Sequence, residues 1–443
     1  MRKHLITAAV LASCAAATSA YAVDIGENTT VGGQVFFDFS NISNQTESTK
    51  GVYSDSTSSG TSFDVKRFYL TVDHAFNNIW SANLTTDATY TGETTATVLS
   101  TVKTCSTGAV NTAGTGCTTA GATPTSFNTT TAANNANSGN VSELMIKYLY
   151  LTGKFSDALS VKLGSSATPW ISYVDGITGQ RYIDKSVNDR LGFNTADWGA
   201  NASGSFANQL LNYSFSVLNG SGYKNPSRSK KVDFEGRISS KPTDWLDLGV
   251  GVYTGHLGQV TYANDSYSQN TVTRLNALAA VHFGGFKFGG EFISAKNYQT
   301  VAALAGSEDG TNSTGVFGTS AVVASSATGV VPTDRLQGYS LFAGYAFNAD
   351  WNVFARYDDL DLSKDVAPNL KDKYFNVGVD YKPLKAIDVA LVYKNEKVDN
   401  GQFSPGTADA NGKYTIGGAA GTTTTAPTDG KFGEVGIYVQ WKF

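Results

Sequence analysis

Charged and aromatic side chains are concentrated in one stretch of this chain, residues 168–194, which reads TPWISYVDGITGQRYIDKSVNDRLGFN. Its charged residues include Arg181, Asp184, Lys185, Asp189 and Arg190. Fixed charges of both signs can set up a field that orients polar solutes and ions. The large aromatic side chains of the same stretch need a surface to pack against. We therefore expect the stretch to fold into an interior and to present its charges to a water-filled space.

Catalytic chemistry is not predicted for this chain. Beyond residue 22 it has three histidines, His74, His256 and His282. None of them shares a predicted neighbourhood with a serine and an acid, as nucleophilic catalysis requires. The glycine-rich stretches lack the following helix and the Lys-Ser or Lys-Thr pair of a phosphate-binding loop. We therefore expect no enzymatic activity, no cofactor and no metal site.

Two cysteines lie twelve positions apart, Cys105 and Cys117, in a stretch rich in Thr, Gly and Ala. No histidine or carboxylate lies near them to complete a metal site. In an oxidising compartment such a pair forms a disulfide. The sequence therefore predicts a disulfide that closes a surface loop.

The first 22 residues have the pattern of a secretory signal peptide. Met1–Lys3 is basic, Leu5–Ala12 is apolar, and Ala20–Ala22 is a small-x-small cleavage site. We expect residues 1–22 to be removed and residues 23–443 to form a single domain. The segment Leu11–Cys14 also resembles a lipoprotein cleavage box, although cleavage there would leave a very short signal.

The last thirteen residues, KFGEVGIYVQWKF, alternate strictly. One face carries Val435, Ile437, Val439, Trp441 and Phe443, and the other face is largely polar. A strand with one apolar and one polar face is typical of a membrane barrel, although a soluble sandwich could also end this way. In lipid every backbone polar group must be paired, so such a sheet closes on itself. The ending also resembles the C-terminal signature that the barrel-assembly machinery reads in outer-membrane proteins, which implies that machinery as a partner.

Sixteen amphipathic segments of similar length follow one another along the chain. They lie at 31–40, 63–74, 79–90, 143–153, 158–168, 195–206, 209–218, 230–240, 245–255, 272–283, 286–296, 336–347, 351–361, 372–382, 386–397 and 431–443. About 9–11 tilted residues cross a bilayer core. Short connectors alternate with long ones, as in outer-membrane barrels with periplasmic turns and extracellular loops. The pattern predicts an all-β, 16-stranded antiparallel transmembrane barrel.

Composition limits the function classes further. The chain has 33 basic and 37 acidic residues, a weak acidic excess that does not favour a nucleic-acid partner. After Ala22 there is no apolar run near the ~18–20 residues of a membrane helix. Trp80, Trp245, Trp351 and Trp441 stand beside short connectors, where an interfacial aromatic girdle would place them.

A barrel of sixteen strands is too wide for its own side chains to fill, so it encloses an aqueous channel. On the predicted register, inward-facing bases are Arg67, Lys162, Arg237, Arg274, Lys287 and Arg356, and inward-facing acids are Asp233, Glu235, Glu291, Asp358, Asp380 and Glu434. A register error of one residue would turn any of them outward. Each could serve as a structural ion pair or as a selectivity-determining charge.

Three segments near the charged stretch, Gly164–Trp170, Asp189–Phe193 and Ala196–Gly199, resemble bacterial outer-membrane porins of the Porin O/P type, the phosphate-selective group and its relatives. The resemblance implies that the third loop folds into the lumen as a constriction. It also implies passive diffusion of small hydrophilic solutes and ions across the bacterial outer membrane, a homotrimer, and contact with membrane lipid and lipopolysaccharide. Two alternatives stay open: an anion-selective channel, for example for phosphate, and a structural or adhesive surface barrel with a blocked pore.

Overall fold

The computed structural model describes residues 23–49, 51–55, 59–91, 96–105, 124–133, 141–226, 228–258, 271–297, 333–365, 368–399, 402–403, 416–417 and 429–443. The predicted signal peptide and Cys117 lie outside the described residues, so the cleavage and the disulfide stay predictions.

Sixteen antiparallel strands of the described residues form one closed barrel. They are β1 Thr29–Thr49, β2 Gly60–Ala75, β3 Trp80–Thr91, β4 Val141–Ser156, β5 Leu159–Ala167, β6 Ala196–Phe206, β7 Leu211–Leu218, β8 Asp233–Thr243, β9 Leu246–Gly255, β10 Val272–Phe283, β11 Phe286–Lys296, β12 Arg335–Ala346, β13 Trp351–Asp361, β14 Lys371–Leu384, β15 Ile387–Asp399 and β16 Gly430–Lys442. The predicted strand number and antiparallel order are confirmed.

Four short strands accompany the barrel strands. Val23–Gly26 pairs with the start of β1, and Val52–Asp55 folds back on its end. Gln402–Phe403 pairs with Ile416–Gly417. Residues 90–142 form a second compact unit, in which Ala96–Cys105 and Pro124–Ala133 pair as a hairpin.

The faces of the strands are inverted relative to a soluble protein. On β9, Leu248, Val250 and Val252 are exposed, whereas Tyr253 is buried. On β16, Val435 and Ile437 are exposed in the same way. Large apolar side chains therefore point outward all along the sheet, while charged and polar side chains are buried inside. This arrangement is that of a transmembrane barrel with a polar interior.

The predicted tryptophan girdle lies on the outward face. Trp80, Trp245, Trp351 and Trp441 are all exposed and stand at the ends of strands that meet short turns. Between β10 and β11 the turn consists of Gly284 and Gly285 alone, both with positive φ (53° and 92°), which glycine adopts without strain.

The barrel closes through its last residue. β16 pairs with β1 from Lys442 opposite Gln34 to Gly430 opposite Thr46. The Phe443 N–H donates to the Gly33 carbonyl at 3.0 Å, and the Gly33 N–H donates to the Phe443 carbonyl at 2.8 Å. A Cβ at Gly33 would lie only 2.3 Å from the Phe443 ring, so glycine there makes room for the C-terminal aromatic side chain.

Candidate functional site: the lumen and its inner loop

Residues 168–194, the inner loop, connect β5 to β6 and lie inside the barrel. The loop contains α1, Ile171–Thr178, and the single turn α2, Val187–Arg190. Gly179 ends α1 in the left-handed conformation with φ 70°, a frequent helix terminator. Within the described residues, no helix is long and apolar enough to cross a bilayer.

Both ends of α1 are held by charges of the barrel wall. Glu235 of β8 accepts a hydrogen bond from the Trp170 N–H at 2.9 Å. At the other end, the Lys287 ammonium of β11 donates to the carbonyls of Ile177 and Thr178 at 3.2 and 2.6 Å. A carboxylate at the N-terminus and an ammonium at the C-terminus both complement the helix dipole. The wall therefore fixes the position and the direction of α1.

Glycines on β9 provide the surface on which α1 lies. A Cβ at Gly251 would approach the Trp170 ring to 2.4 Å, and one at Gly249 would approach the Tyr173 ring to 2.5 Å. Trp170 is completely buried, and its indole N–H donates to Glu291 of β11 at 2.6 Å. The inward glycines of β9 thus leave the space that the aromatic side chains of the inner loop fill.

Arg190 at the end of α2 reaches three strands of the opposite wall. Its guanidinium contacts Asp358 at 2.8 Å, Asp372 at 3.2 Å and Glu396, and lies 4.0 Å from the Tyr374 ring centroid. Charge-assisted hydrogen bonds in a buried setting are among the stronger polar contacts of a protein. The Arg190 side chain therefore anchors the loop to β13, β14 and β15.

Arg181 lies between two aspartates of its own loop. It contacts Asp175 at 3.6 Å and also Asp189. Burial raises the pKa of Asp175, and the Arg181 charge only partly offsets this effect. Burial acts in the same direction on Asp189, but the positive charges of Arg181, Lys185, Arg67 and Lys147 together outweigh it and hold the pKa of that carboxyl below its usual value. The three side chains form a compact charge cluster within the loop.

Asp184 and Lys185 lie beside a second basic group. Arg356 of β13 donates to the Lys185 carbonyl and pairs with Asp358 at 2.6 Å. Lys394 of β15 donates to the Ile183 carbonyl at 3.1 Å. Burial favours the neutral form of Asp184, but the charges of Lys394, Arg356 and Arg190 outweigh it and hold its pKa well below the usual range.

The other sequence-predicted wall charges have the following positions. Three of them form ion pairs: Arg67 with Asp87 at 2.5 Å, Arg274 with Glu235 at 3.0 Å, and Glu434 with Lys394 at 3.1 Å. Two lie over aromatic rings, Lys162 over Tyr150 and Arg237 over Tyr173. Two accept hydrogen bonds from tyrosine hydroxyls, Asp380 from Tyr182 at 2.8 Å and Asp233 from Tyr253 at 2.5 Å. Many of these charges therefore pair with each other or hold the inner loop.

Several buried charges were not selected from the sequence. Lys66 lies in a β-bulge, since Phe36 pairs with Arg67 while Phe37 pairs with Val65. Strict alternation would turn Lys66 outward, yet it is buried and contacts Asp38 at 3.2 Å. Asp372 was also overlooked, although it shares a period of two with Asn376 and Asp380 on β14, which could have indicated an inward position.

Two cavities flank the inner loop. The basic cavity, about 260 Å³, separates the loop from β1 and β2; its lining includes Lys66, Arg67, Arg181, Lys185 and one acid, Asp184. The mixed cavity, about 420 Å³, lies on the side of β11 to β14; its lining includes Glu291, Ser340, Phe342, Arg356 and Asn376. In the described ranges no three His, Cys, Asp or Glu side chains come together as a metal site would require.

No family model matches this chain, and no curated protein is similar to it in sequence. Solved structures of similar fold include the anion-selective porin from Comamonas acidovorans, with TM-score 0.54, 11% identity, and 94% of this chain and 99% of that chain covered. The outer-membrane channel DcaP of Acinetobacter baumannii has a TM-score of 0.52 and 11% identity, with 95% of this chain and 99% of that chain covered. Salmonella typhi OmpF in complex with daunomycin has a TM-score of 0.51 and 9% identity, with 95% of this chain and 100% of that chain covered.

At this level of identity the likeness is one of fold. Together with the outward apolar face and the inner loop, it defines the class: a 16-stranded transmembrane barrel of the kind found in outer-membrane porins. No closer family emerges from the comparisons.

Proposed function

We propose that this protein is an outer-membrane porin, a water-filled channel for passive diffusion of small hydrophilic solutes and ions. The observation that carries the proposal is a closed barrel with an apolar outside, a charged inside and a loop attached across its lumen. Such a barrel cannot fill its interior with wall side chains alone. Selection would then depend on the width left beside the inner loop and on the charges that line it.

Within this proposal the constriction residues are Arg181, Asp184, Lys185, Asp189 and Arg190, and the pore wall includes Arg67, Lys162, Arg237, Arg274, Lys287, Glu291 and Arg356. Their pairing suggests two tasks. Arg190 and Lys287 chiefly hold the loop, because their donors are directed at loop or wall acceptors. Arg181 and Lys185 both line the basic cavity, but Arg181 is paired with Asp175 and Asp189 of its own loop, so Lys185 is the first candidate for contact with solute.

Liposome swelling tests the channel directly. The purified chain, folded and reconstituted, should admit small sugars rapidly and larger oligosaccharides progressively more slowly, because passage is limited by size. Protein-free liposomes supply the baseline. Absence of swelling with every sugar from a folded barrel would contradict the proposal and favour the structural or adhesive surface barrel.

A second candidate, an anion-selective channel, is favoured by the basic cavity. Four of its lining side chains are cationic and one is acidic. Under a tenfold KCl gradient across a planar bilayer, the sign of the reversal potential should then show that chloride passes more easily than potassium. Lys185→Gln should reduce that preference, whereas Lys162→Gln, which removes the same charge outside the basic cavity, should change it less. A wild-type preference for potassium would contradict anion selectivity.

Further parts of the proposal follow from the resemblance noted in the sequence. They are membership of the Porin O/P type, a homotrimer, recognition of the C-terminal strand by the barrel-assembly machinery, and contact with lipopolysaccharide. The proposal includes no catalytic activity. The paired Phe443 backbone supports a role for the last residue in closing the barrel.

A further inference from the structure

We propose that three lysines at the extracellular end of β14, β15 and β16 form a binding site for the phosphate groups of an outer-leaflet glycolipid. The site, called the rim lysines below, consists of Lys373, Lys397 and Lys431. The inference deepens the function proposed above, since it rests on residence of the barrel in the outer membrane.

The register of the sheet brings the three lysines side by side. Lys373 is directly opposite Lys397, and Lys397 is directly opposite Lys431. Directly opposed residues on neighbouring strands have their Cβ atoms about 5 Å apart. All three belong to the outward face, because their neighbours Asp372, Glu396 and Phe432 are buried inside.

Like charges that face each other across strands are unfavourable. Lys397 is partly compensated by Asp399 and by Asp429 at 3.4 Å, and the Lys431 ammonium lies 3.6 Å from the Tyr53 ring centroid. Lys373 is exposed and has no ion pair among the described residues. A multivalent anion beside the row would relieve the remaining repulsion.

The position of the row relative to the membrane indicates where that anion comes from. Tyr339, Tyr357 and Phe375 form an outward aromatic band on β12, β13 and β14, in which Tyr357 is opposite Phe375. Lys373 lies two residues before Phe375 on β14, about 7 Å closer to the extracellular end of the strand. Aromatic side chains mark the interface of a bilayer, so the lysines lie at the level of the headgroups.

The acids near the row lie mostly farther from the bilayer. Asp399 is two positions beyond Lys397 on β15, and Asp429 precedes β16. At the level of the row, Asp359 borders Lys373 on one side and Gln45 borders Lys431 on the other. At the headgroup level the row therefore sets three lysines against one carboxylate, Asp359, and phosphate monoesters are the headgroup chemistry that complements this excess of positive charge.

The test measures binding of bisphosphorylated lipid A to the full mature chain, folded in detergent, and compares it with dephosphorylated lipid A carrying the same acyl chains. The variant Lys373→Gln/Lys397→Gln/Lys431→Gln should bind the phosphorylated lipid at least about tenfold more weakly, because each lysine near a headgroup contributes roughly fivefold. The control variant Lys154→Gln/Lys382→Gln/Lys385→Gln makes the same charge change at the opposite end of the barrel. It should bind as the wild type does.

The single variant Lys373→Gln should bind the phosphorylated lipid several-fold more weakly than the wild type. It replaces the triple variant in the test if the triple variant does not fold. Equal binding by wild type and both rim variants, or an equal loss in the control variant, would overturn the inference. Full competition by millimolar inorganic phosphate would also overturn it, because the site would then recognise free anions instead of lipid.

Conductance of the triple rim variant should equal that of the wild type. A barrel that binds the lipid but does not conduct would contradict the proposed function and not the lipid site.

Discussion

Arg190 joins the inner loop to three wall strands through Asp358, Asp372 and Glu396. Replacing it by glutamine would leave these carboxylates buried with less compensation, and breaking a buried pair costs about 3 kcal/mol or more. We expect Arg190→Gln to lower the thermal unfolding temperature in detergent. It should also shift the reversal potential towards cation preference, because the lumen loses one positive charge.

The matched control is Arg335→Gln. Arg335 also makes a bidentate contact, with Asp365, but on the exposed rim of β12, where solvent screens the pair. It should leave both the unfolding temperature and the reversal potential nearly unchanged. Equal effects of the two substitutions would show that Arg190 does not anchor the loop.

Asp184 provides a pH-dependent test. Its pKa in the folded protein is held below the usual value, despite burial, by Lys394, Arg356 and Arg190. A depressed carboxyl pKa contributes stability above the unfolded pKa, about 3.9, and this contribution is lost as the pH falls towards the folded pKa. Asp184→Asn should therefore be less stable than the wild type at pH 7, and the difference should shrink below about pH 4.

Thermal unfolding at pH 7, 5 and 3 measures that difference. Asp157→Asn, which changes an exposed turn carboxylate, should show little difference at any of these pH values. A gap between wild type and Asp184→Asn that widens on acidification would contradict the assigned electrostatics.

At single residues, the sequence indicates less than the structure does. Periodicity on regular strands is enough to list inward charges, but the bulge at Lys66 breaks the period, and a pattern of two cannot anticipate it. Pairing is not encoded locally either. Arg190 and Glu396 are 206 positions apart, so their contact depends on how the closed barrel carries the loop to its opposite wall.

At the level of elements, the position of α1 depends on the space that the inward-facing glycines of β9 leave free inside the barrel. Replacing Gly251 by valine would place side-chain atoms where the Trp170 ring lies. We expect Gly251→Val to displace α1 and change single-channel conductance, while the barrel still folds and remains heat-modifiable in gels. Trp170 fluorescence should report the displacement.

Gly236→Ala is the control for this change. Its added Cβ would meet neighbouring side chains at 3.6 and 3.7 Å, which is ordinary contact. Conductance and fluorescence should match the wild type. Unchanged conductance in Gly251→Val would show that the position of α1 does not determine the width of the channel.

Strand ends were predictable where turn chemistry marks them. The bounds of β10 and β11 match the sequence prediction, because Gly284 and Gly285 separate them clearly. For β1 the prediction of 31–40 was too short, since the strand continues to Thr49. Its second half is polar and contains two asparagines, which are poor strand formers by themselves. Pairing with β16, from Asn41 opposite Val435 to Thr46 opposite Gly430, keeps it extended.

At the scale of the whole molecule, the outward apolar face and the inward charges require a bilayer outside and water or paired polar groups inside. The alternation of the sequence was sufficient to predict this architecture, because period two recurs from strand to strand and local breaks such as the bulge at Lys66 leave the overall pattern intact. How far the inner loop narrows the lumen could not be predicted. That depends on glycine positions and long-range ion pairs such as those of Gly251 and Arg190.

The most direct measurement is single-channel conductance of the purified chain without the predicted signal peptide, in planar bilayers. An open channel beside the inner loop predicts discrete, ohmic steps whose size rises with salt concentration, in groups of three if the protein is a trimer. Silence from a barrel that is folded and heat-modifiable would contradict the proposed diffusion channel and assign the protein's function to its surface.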